Sequence, residues 1–348
     1  MRKEQDRVMI FGPVPLEAAQ GLILGHNIAG PDGKRLLRKG RTLTSADILV
    51  LKSIGRGSVY AARLEQGDLD ENTAARRVAS AVMGANTRII GPSAGRVNLQ
   101  TTTLGVIRVD IDRLNEINQF EGITLATLAS HTPVTPRKTI ATIKIIPFAL
   151  PEEVVAAVEA IARHDSPIVS VNSLSEKCVS VIFSGSPSIK DRLLKDFAPL
   201  FERIENLGSK IQQVDFIPLE DESGETALAE MLEQRIREDG NLILLAGETA
   251  IMDRYDIAPR AVERAGGQVE CVGVPVDPGN LLMLGYIGPV PILGVPGCAR
   301  SKKTNIVDWV LPRLLAGDRL ARYDFMRLGH GGLLEDTRQR PMPRNTVF

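Results

Sequence analysis

The chain has 348 residues, of which 43% are hydrophobic and 24% charged, and its 42 basic and 42 acidic side chains give a formal net charge of zero. This length predicts two or three domains with ample core, and the balanced charge gives no indication of a nucleic-acid or membrane partner. The three cysteines, Cys178, Cys271 and Cys298, are odd in number and widely spaced, which argues against a disulfide framework. With no signal-peptide pattern and no run of ~20 apolar residues, we expect a cytoplasmic protein.

The amino-terminal segment predicts short helices and a short strand. Residues 14–28 carry apolar side chains at helical spacing, and Pro15 and Glu17 suit a first helical turn. A second helix is predicted to begin at Thr44 or Ser45, with Asp47 in its first turn. A strand over 58–62 and a helix over 71–83 complete a small mixed α/β domain, which we place at residues 1–87.

Residues 88–150 have a different pattern. Short β-branched segments alternate with Gly, Pro and Thr-Pro turns, and one helix is predicted over 111–120. This pattern is typical of a small β-rich domain. We interpret it as a structural module without chemistry of its own.

From residue 151 strands and helices alternate. A helix over 152–163 opens the segment, and the later helices are predicted over 188–207, 225–239 and 257–265. The apolar segments between them predict strands at 179–183, 210–216, 242–245, 268–274 and 291–295. Such alternation predicts βαβ units, hence a three-layer α/β/α domain with a mostly parallel sheet at residues 151–320. Residues 321–348 are predicted to be a tail.

Three of these strands run into loops of small and polar residues. The segment NLILLAGETAIMDRYD, residues 241–256, ends a buried strand in a small-residue loop and two acids. PILGVPGCARS, residues 291–301, ends a strand in a Pro-Gly turn and a basic group, and SGSPS, residues 184–188, follows an earlier strand. Loops at one edge of a parallel sheet form a crevice, here one suited to an anion. An ordinary turn and helix cap is the alternative for SGSPS.

Other chemistries have weaker signals. The four histidines are His26, His131, His164 and His330. None stands at metal-ligand spacing with another His or Cys, so no metal site is predicted. No GxSxG elbow is present, which disfavours a nucleophilic hydrolase. Cys298 is either an exposed thiol, a soft ligand or, as we favour, a small residue in a tight loop.

The loops resemble those of a known family. Residues 177–315 are similar to the molybdopterin-binding domain of molybdopterin adenylyltransferases and molybdotransferases, in SGSPS, AGETAIMDRYD, VPVDPGN (274–280) and GVPGCARS (294–301). The segments VPLEAAQGLILGHNI and LRKGRTLTSADI resemble a branch of molybdopterin-binding proteins whose longer members carry a nucleotidyltransferase domain, which we do not expect here. The resemblance also implies a homo-oligomer with a crevice shared between subunits.

The resemblance implies a set of residues that contact the pterin, which are Gly185, Ser186, Gly247, Glu248, Thr249, Ala250, Pro278, Gly279, Pro296, Gly297, Cys298, Arg300, Ser301 and Lys302. Gly247 and Gly297 would admit the phosphate to the backbone, the hydroxyls of Thr249 and Ser301 would donate to it, and Arg300 with Lys302 or Lys303 would neutralise its charge. Asp253 or Asp256 would be the acid nearest the chemistry, as a pterin-amine acceptor or a magnesium ligand. Capping of the helix at Ile257 is the alternative for both acids.

Two departures from the family pattern bear on mechanism. Glu248 stands where relatives have a second glycine, and a carboxylate repels a phosphate unless a metal or proton intervenes. Ser186-Pro187-Ser188 replaces an Asp-Glu pair that could hold magnesium. Magnesium-dependent adenylyl transfer is therefore not a firm expectation.

The leading hypothesis is a protein of molybdenum-cofactor biosynthesis or handling that binds molybdopterin or adenylylated molybdopterin, with magnesium and molybdate as further candidate ligands. The reaction implied by the resemblance is molybdate insertion, so a molybdotransferase-like enzyme is one interpretation. The alternative is a non-catalytic carrier that presents finished cofactor to a molybdoenzyme. A nucleotide hydrolase is a third, for which the sequence shows no metal site.

Overall fold

The computed structural model describes residues 9–163, 166–218 and 223–334. His164 and tail residues 335–348 lie outside these ranges. The chain divides into two compact units, Met1–Asn172 and Ser173–Phe348. In the described ranges, no helix has the length and apolar character that spanning a bilayer requires.

The described part of the first unit contains small sheets and four α-helices. Its strands are β1 Ile10–Pro15, β2 Ile23–Leu24, β3 Ile28–Ala29, β4 Arg35–Leu37, β5 Ser58–Arg63, β6 Asp68–Asp70, β7 Thr87–Ser93, β8 Arg96–Thr101, β9 Gly105–Val109, β10 Ile123–Thr127, β11 Pro133–Val134, β12 Thr139–Ile145, β13 Ala149–Pro151 and β14 Val169–Ser173. Its helices are α1 Ser45–Ser53, α2 Glu71–Val82, α3 Ile111–Ile117 and α4 Glu152–Ala162. The largest sheet has the order β10-β12-β8-β7.

The helix predicted over 14–28 is wrong. This segment forms β1, a short 3-10 helix at Leu16–Ala18, β2 and β3. Its backbone groups pair with distant strands, as Val14 lies opposite Val59 in β5 and the Leu24 N–H donates to the Arg41 carbonyl at 2.8 Å. Apolar spacing alone does not reveal such long-range pairing. The predicted start of α1 is confirmed, since the Thr44 hydroxyl accepts the Asp47 N–H at 3.2 Å in a capping box.

Helix α4, expected to begin the α/β domain, belongs to the first unit. It packs against α2, and Arg77 of α2 forms ion pairs with Glu159 at 2.8 Å and Glu152 at 2.7 Å. Buried Val78 and Val155 join the same core as the β8 and β12 side chains. The division of the chain therefore falls after Asn172 rather than after Leu150.

The second unit is built on a six-stranded sheet. Its strands are β15 Cys178–Gly185, β16 Lys210–Pro218, β17 Leu242–Gly247, β18 Gln268–Val272, β19 Met283–Ile287 and β20 Val290–Gly294, in the order β16-β15-β17-β20-β19-β18. Its helices are α5 Lys190–Asp196, α6 Ala198–Asn206, α7 Ser223–Arg237, α8 Ile257–Arg264, α9 Val307–Leu315 and α10 Arg322–Met326. The pairs β16–β15, β15–β17 and β17–β20 are parallel, and the pairs made by β19 are antiparallel.

Apolar side chains cover both faces of this sheet. Val181 and Phe183 of β15 pack with residues of α5, α6 and α9, whereas Ile182 faces the other way and packs with residues of α7 and α8. The expected α/β fold with a mostly parallel sheet is thus observed. The predicted helix over 188–207 is divided at Phe197 into α5 and α6, because Pro199 in the first turn of α6 has no backbone N–H to continue a helix. Strand β19 was not predicted.

Candidate functional site

The loops after β15, β17 and β20 begin at one edge of the parallel sheet. Ser184 lies opposite Gly247 in the β15–β17 register, and Leu245 lies opposite Gly294 in the β17–β20 register. Residues that are far apart in sequence, from positions 185, 247 and 296 onward, therefore meet at the carboxyl ends of neighbouring strands. This is the edge at which open α/β sheets bind ligands.

Ser186 and Glu248 connect the β15 loop to the β17 loop. The Ser186 backbone N–H and its hydroxyl both donate to the Glu248 Oε2, each at 2.9 Å. These bonds lower the pKa of the exposed Glu248 carboxyl, the backbone N–H most and the hydroxyl next, with a smaller contribution from the charge of Arg192. The carboxylate, ionised at neutral pH, therefore occupies the donors that SGSPS was expected to offer to a ligand oxyanion.

Arg300 connects the β20 loop to the β17 loop. Its Nη2 donates to the Gly247 carbonyl at 2.7 Å, and its guanidinium carbon lies 4.9 Å from the centre of the Phe197 ring. The Arg300 Nε is buried and has no hydrogen-bond partner in the described residues. Arg300, Glu248 and Arg192 line one small pocket of about 50 Å³. Two guanidinium groups therefore border the pocket beside Glu248, and Asp196, which also lines it, pairs with Arg192 at 3.5 Å.

Gly247 is placed where a side chain does not fit. A Cβ there would lie 2.8 Å from the Ser184 Oγ and 3.1 Å from the Ser184 carbonyl oxygen. Gly297, by contrast, has open space around its Cβ position. The two glycines that the resemblance treats alike thus have different environments: Gly247 is required by the protein's own packing, whereas Gly297 leaves room beside the loop.

Arg203 of α6 stabilises the loop after β20. Arg203 pairs with Asp308 at 2.8 Å and donates to the carbonyls of Ala299 at 3.2 Å and Lys303 at 2.9 Å. The buried Asn305 side chain adds a bond from its amide to the Lys303 carbonyl at 3.1 Å. These bonds give the β20 loop, which forms a 3-10 helix at Gly297–Arg300, a fixed conformation.

A second pocket is lined in part by residues of the same loop. It has a volume of about 410 Å³ and is lined by Asp277, Pro278, Cys298, Ser301, Lys303, Thr304 and Asn305. Gly279, next to Pro278 in sequence, has a φ of +138° and a Cβ position only 2.2 Å from the Ile306 Cγ2, so that a side chain is excluded. Burial raises the pKa of the half-buried Cys298 thiol, which is not the exposed thiol that was one sequence interpretation.

Asp253 and Asp256 use their carboxylates within their own turn. The Asp256 Oδ2 accepts the N–H groups of Met252 at 2.6 Å and Asp253 at 3.0 Å, and the Asp253 Oδ1 accepts the Tyr255 N–H at 2.7 Å. Asp256 is the N-cap residue of α8, although its side chain makes no capping bond to that helix. The observed bonds are therefore structural ones that hold the turn between β17 and α8.

The remaining predicted site residues lie in the β17 and β20 loops. Thr249 and Ala250 are exposed in the β17 loop, and Pro296 is buried beneath the β20 loop. Lys302 pairs with Glu202 at 2.9 Å. Within the described ranges, no group of three or more His, Cys, Asp or Glu side chains is arranged to hold a metal ion.

Sequence reasoning missed Arg192, Arg203 and Asn305. Arg192 lies in a helix with an ordinary charged pattern, and Arg203 reaches Lys303, 100 residues away. No local signal identifies such a contact. Asn305 is a polar residue between the basic group and α9, and its sequence position does not indicate its bond to the Lys303 carbonyl.

Comparisons with known proteins give a limited result. Residues 13–63 match a domain of unknown function (DUF8806). No curated protein sequence matches the chain.

Among solved structures, the molybdopterin biosynthesis MoeA protein from Pyrococcus horikosii is 15% identical over 88% of this chain and 75% of its own, with a TM-score of 0.30. A molybdenum cofactor biosynthesis protein B is 18% identical over 44% of this chain and 93% of its own, with a TM-score of 0.25. A molybdenum cofactor biosynthesis protein from Pyrococcus furiosus is 12% identical over 95% of this chain and 66% of its own, with a TM-score of 0.21. Likeness at this level assigns no activity to this chain.

Proposed function

We propose that the second unit binds the phosphate of a pterin cofactor, molybdopterin or its adenylylated form, in the crevice formed by the loops after β15, β17 and β20, and that the protein acts in molybdenum-cofactor biosynthesis or handling. The sequence motifs that resemble molybdopterin-binding domains lie in these loops. The observation that carries the proposal is that the crevice already binds an anion, the Glu248 carboxylate, through the Ser186 N–H and hydroxyl.

The donor chemistry supports a phosphate in particular. A phosphate oxygen accepts the same pair of donors as a carboxylate oxygen, and arginine side chains such as Arg192 and Arg300, which line the same pocket, bind either anion. A ligand phosphate that takes the Ser186 donors displaces Glu248. The pocket of about 410 Å³ beside Pro278 and Ser301 supplies further room next to the β20 loop.

A non-catalytic carrier is the second candidate. Asp253 and Asp256, the acids that the resemblance would place nearest the chemistry, accept backbone N–H groups of their own turn. Carboxylates engaged in this way are poorly placed to hold a magnesium ion or to act as a base. Glu248 favours the same role, because an anion that competes for the ligand's donors weakens retention and speeds release.

The proposal is tested by isolating the full chain from a host that makes molybdopterin. Bound pterin is released by denaturation and measured by fluorescence after oxidation, and molybdenum is measured on the same sample. Arg300→Ala should lower the pterin content strongly, since it removes a cation beside the proposed phosphate. Arg237→Ala is the matched control, because Arg237 lies in the same unit on α7 and pairs only with Glu233 in the described structure, at 3.3 Å.

The outcomes separate the alternatives. Pterin with molybdenum supports a carrier or a late insertion step, and pterin without metal supports an earlier biosynthetic step. Pterin retained by Arg300→Ala removes these loops from the site. If neither purified nor added pterin binds, the second unit has a different function.

A further inference from the structure

A large cavity of the described chain lies in the first unit and shares no residue with the proposed pterin site. It has a volume of about 870 Å³ and combines basic, aromatic and backbone surfaces. Its lining includes five cationic side chains, Arg35, Arg38, Lys39, Arg96 and Lys144, against a single acid, Glu71. The DUF8806 match ends at residue 63, so it includes only part of this lining.

These cations are mostly without counter-charges. Lys144 has Glu71 at 3.6 Å. In the described part of the chain, none of Arg35, Arg38, Lys39 and Arg96 has a carboxylate within ion-pair distance. A concave surface with an excess of one sign concentrates its potential and attracts ligands of the other sign. The protein has a net charge of zero, so this excess is a local property of the cavity.

The strand register brings two of the cations together. Arg96 of β8 lies directly opposite Lys144 of β12. Like charges at such cross-strand positions destabilise a sheet. Glu71, 3.6 Å from Lys144, offsets part of this repulsion, and an anion bound to both cations would offset more of it. Asn98, two residues from Arg96 on the same face, also lines the cavity and accepts the Thr142 hydroxyl at 2.8 Å.

The cavity also has an aromatic and apolar side. Phe148 and His26 line it. The Phe11 ring centre lies 6.2 Å from that of Phe148 and 5.9 Å from that of His26. Ile146 is 61% exposed and Ile90 is 39% exposed at the same cavity. Exposed apolar side chains beside a cluster of cations suit a ligand that has a flat apolar part and an anionic part.

We infer that this cavity is a binding site for a small phosphorylated ligand with a planar ring, of the chemical class of a nucleoside di- or triphosphate. The phosphates would lie between Arg96 and Lys144 on one side and Arg35, Arg38 and Lys39 on the other, and the ring would lie near Phe148. Arginine binds phosphate oxygens in pairs, which favours phosphates over a single carboxylate. The five cations line a single pocket of about 870 Å³, a volume that is typical of a small-molecule site. This site is independent of the pterin site proposed above.

The test is calorimetric titration of the full chain with ATP, GTP and inorganic pyrophosphate. Saturable binding of a nucleotide is expected, and Arg38→Glu and Arg96→Glu should each weaken it at least about tenfold, the effect of losing a charged hydrogen bond. Arg56→Glu is the matched control, since Arg56 is exposed in the same unit but does not line the cavity. Arg300→Ala controls for binding in the second unit. Thermal melting by circular dichroism verifies that each variant is folded.

Five results would overturn the inference. No saturable binding of any probe at millimolar concentration removes the site, and unchanged affinity in both cavity variants places the ligand elsewhere. Loss of nucleotide binding in Arg300→Ala assigns the ligand to the second unit. A single-stranded oligonucleotide that binds far more tightly than either nucleotide makes the surface a nucleic-acid site. Pyrophosphate that binds as tightly as the nucleotides refutes the role of the ring.

Discussion

Gly247 and Gly297 differ in a way that mutagenesis can measure. A methyl group at position 247 would lie 2.8 Å from the Ser184 Oγ, which can rotate, but also 3.1 Å from the Ser184 carbonyl oxygen, which is fixed by the Glu248 N–H at 2.9 Å. Gly247→Ala must therefore move backbone, and overpacking of this kind costs roughly 1–3 kcal/mol. Gly297→Ala adds a methyl to open space, so its effect on the free energy of unfolding should stay within about 0.5 kcal/mol.

The measurement is urea unfolding followed by tryptophan fluorescence. Trp309 is the only tryptophan and packs against the core of the second unit, so its signal reports on that unit alone. Pterin content is measured on the same two variants. Gly297→Ala should keep its stability yet lose pterin, because its methyl occupies space beside the proposed phosphate. Equal stability losses in both variants would refute the packing argument, and full pterin retention in Gly297→Ala would refute the approach of ligand to that loop.

Three further predictions concern the second unit. Phe197→Ala, which removes a fully buried ring 5.4 Å from Phe183, should cost about 3–5 kcal/mol by the same urea assay, and a loss below ~1 kcal/mol would contradict the described core. The pKa of Glu248 lies below its ordinary value of 4.5, so its ionised form stabilises the folded unit above pH 4.5, and this contribution is lost as the pH falls through the folded pKa. Glu248→Gln should therefore be less stable than the parent protein at pH 7, and the difference in stability should shrink below pH 4.5. The same variant should retain more pterin. A difference that grows on acidification would contradict the Ser186 contact. Thiol titration of the folded protein at pH 8 should modify exposed Cys178 first and Cys271 only after unfolding, since burial raises the pKa of Cys271 to about 11; early labelling of Cys271 would contradict its burial.

The second unit could be predicted from sequence because its signals are local. Each buried strand of the parallel sheet is an apolar run with helices between, and 242–245 appears in the structure within β17. The first unit shows the limit of such signals. Residues 14–28 have a helical pattern, but the strands formed there depend on partners such as Val59 and Arg41 that no local pattern identifies.

The candidate site could be predicted only as a set of loops. The sequence places Ser186, Gly247, Glu248 and Arg300 at strand ends, and the structure brings these four together. The sequence does not reveal that Glu248 bonds to Ser186, because a carboxylate at this position could equally face solvent. The cavity of the first unit was missed, since Arg96 and Lys144 become neighbours only through the β8–β12 register. The interpretation of residues 88–150 as a module without chemistry is the one that the nucleotide titration would revise.

The mixed direction of the strands in the second unit has a consequence for folding. Strands β18, β19 and β20 form an antiparallel meander. Residues 273–282 join β18 to β19, and a two-residue Gly288-Pro289 turn, with Gly288 at a φ of +57°, joins β19 to β20. By contrast, β15 and β17 pair in parallel across 63 residues, as between Val179 and Leu242. Local contacts form faster than those that close long loops. We therefore expect the meander to form early and the parallel edge late, so that the crevice exists only in the completed unit and ligand binding reports on the last step of its folding.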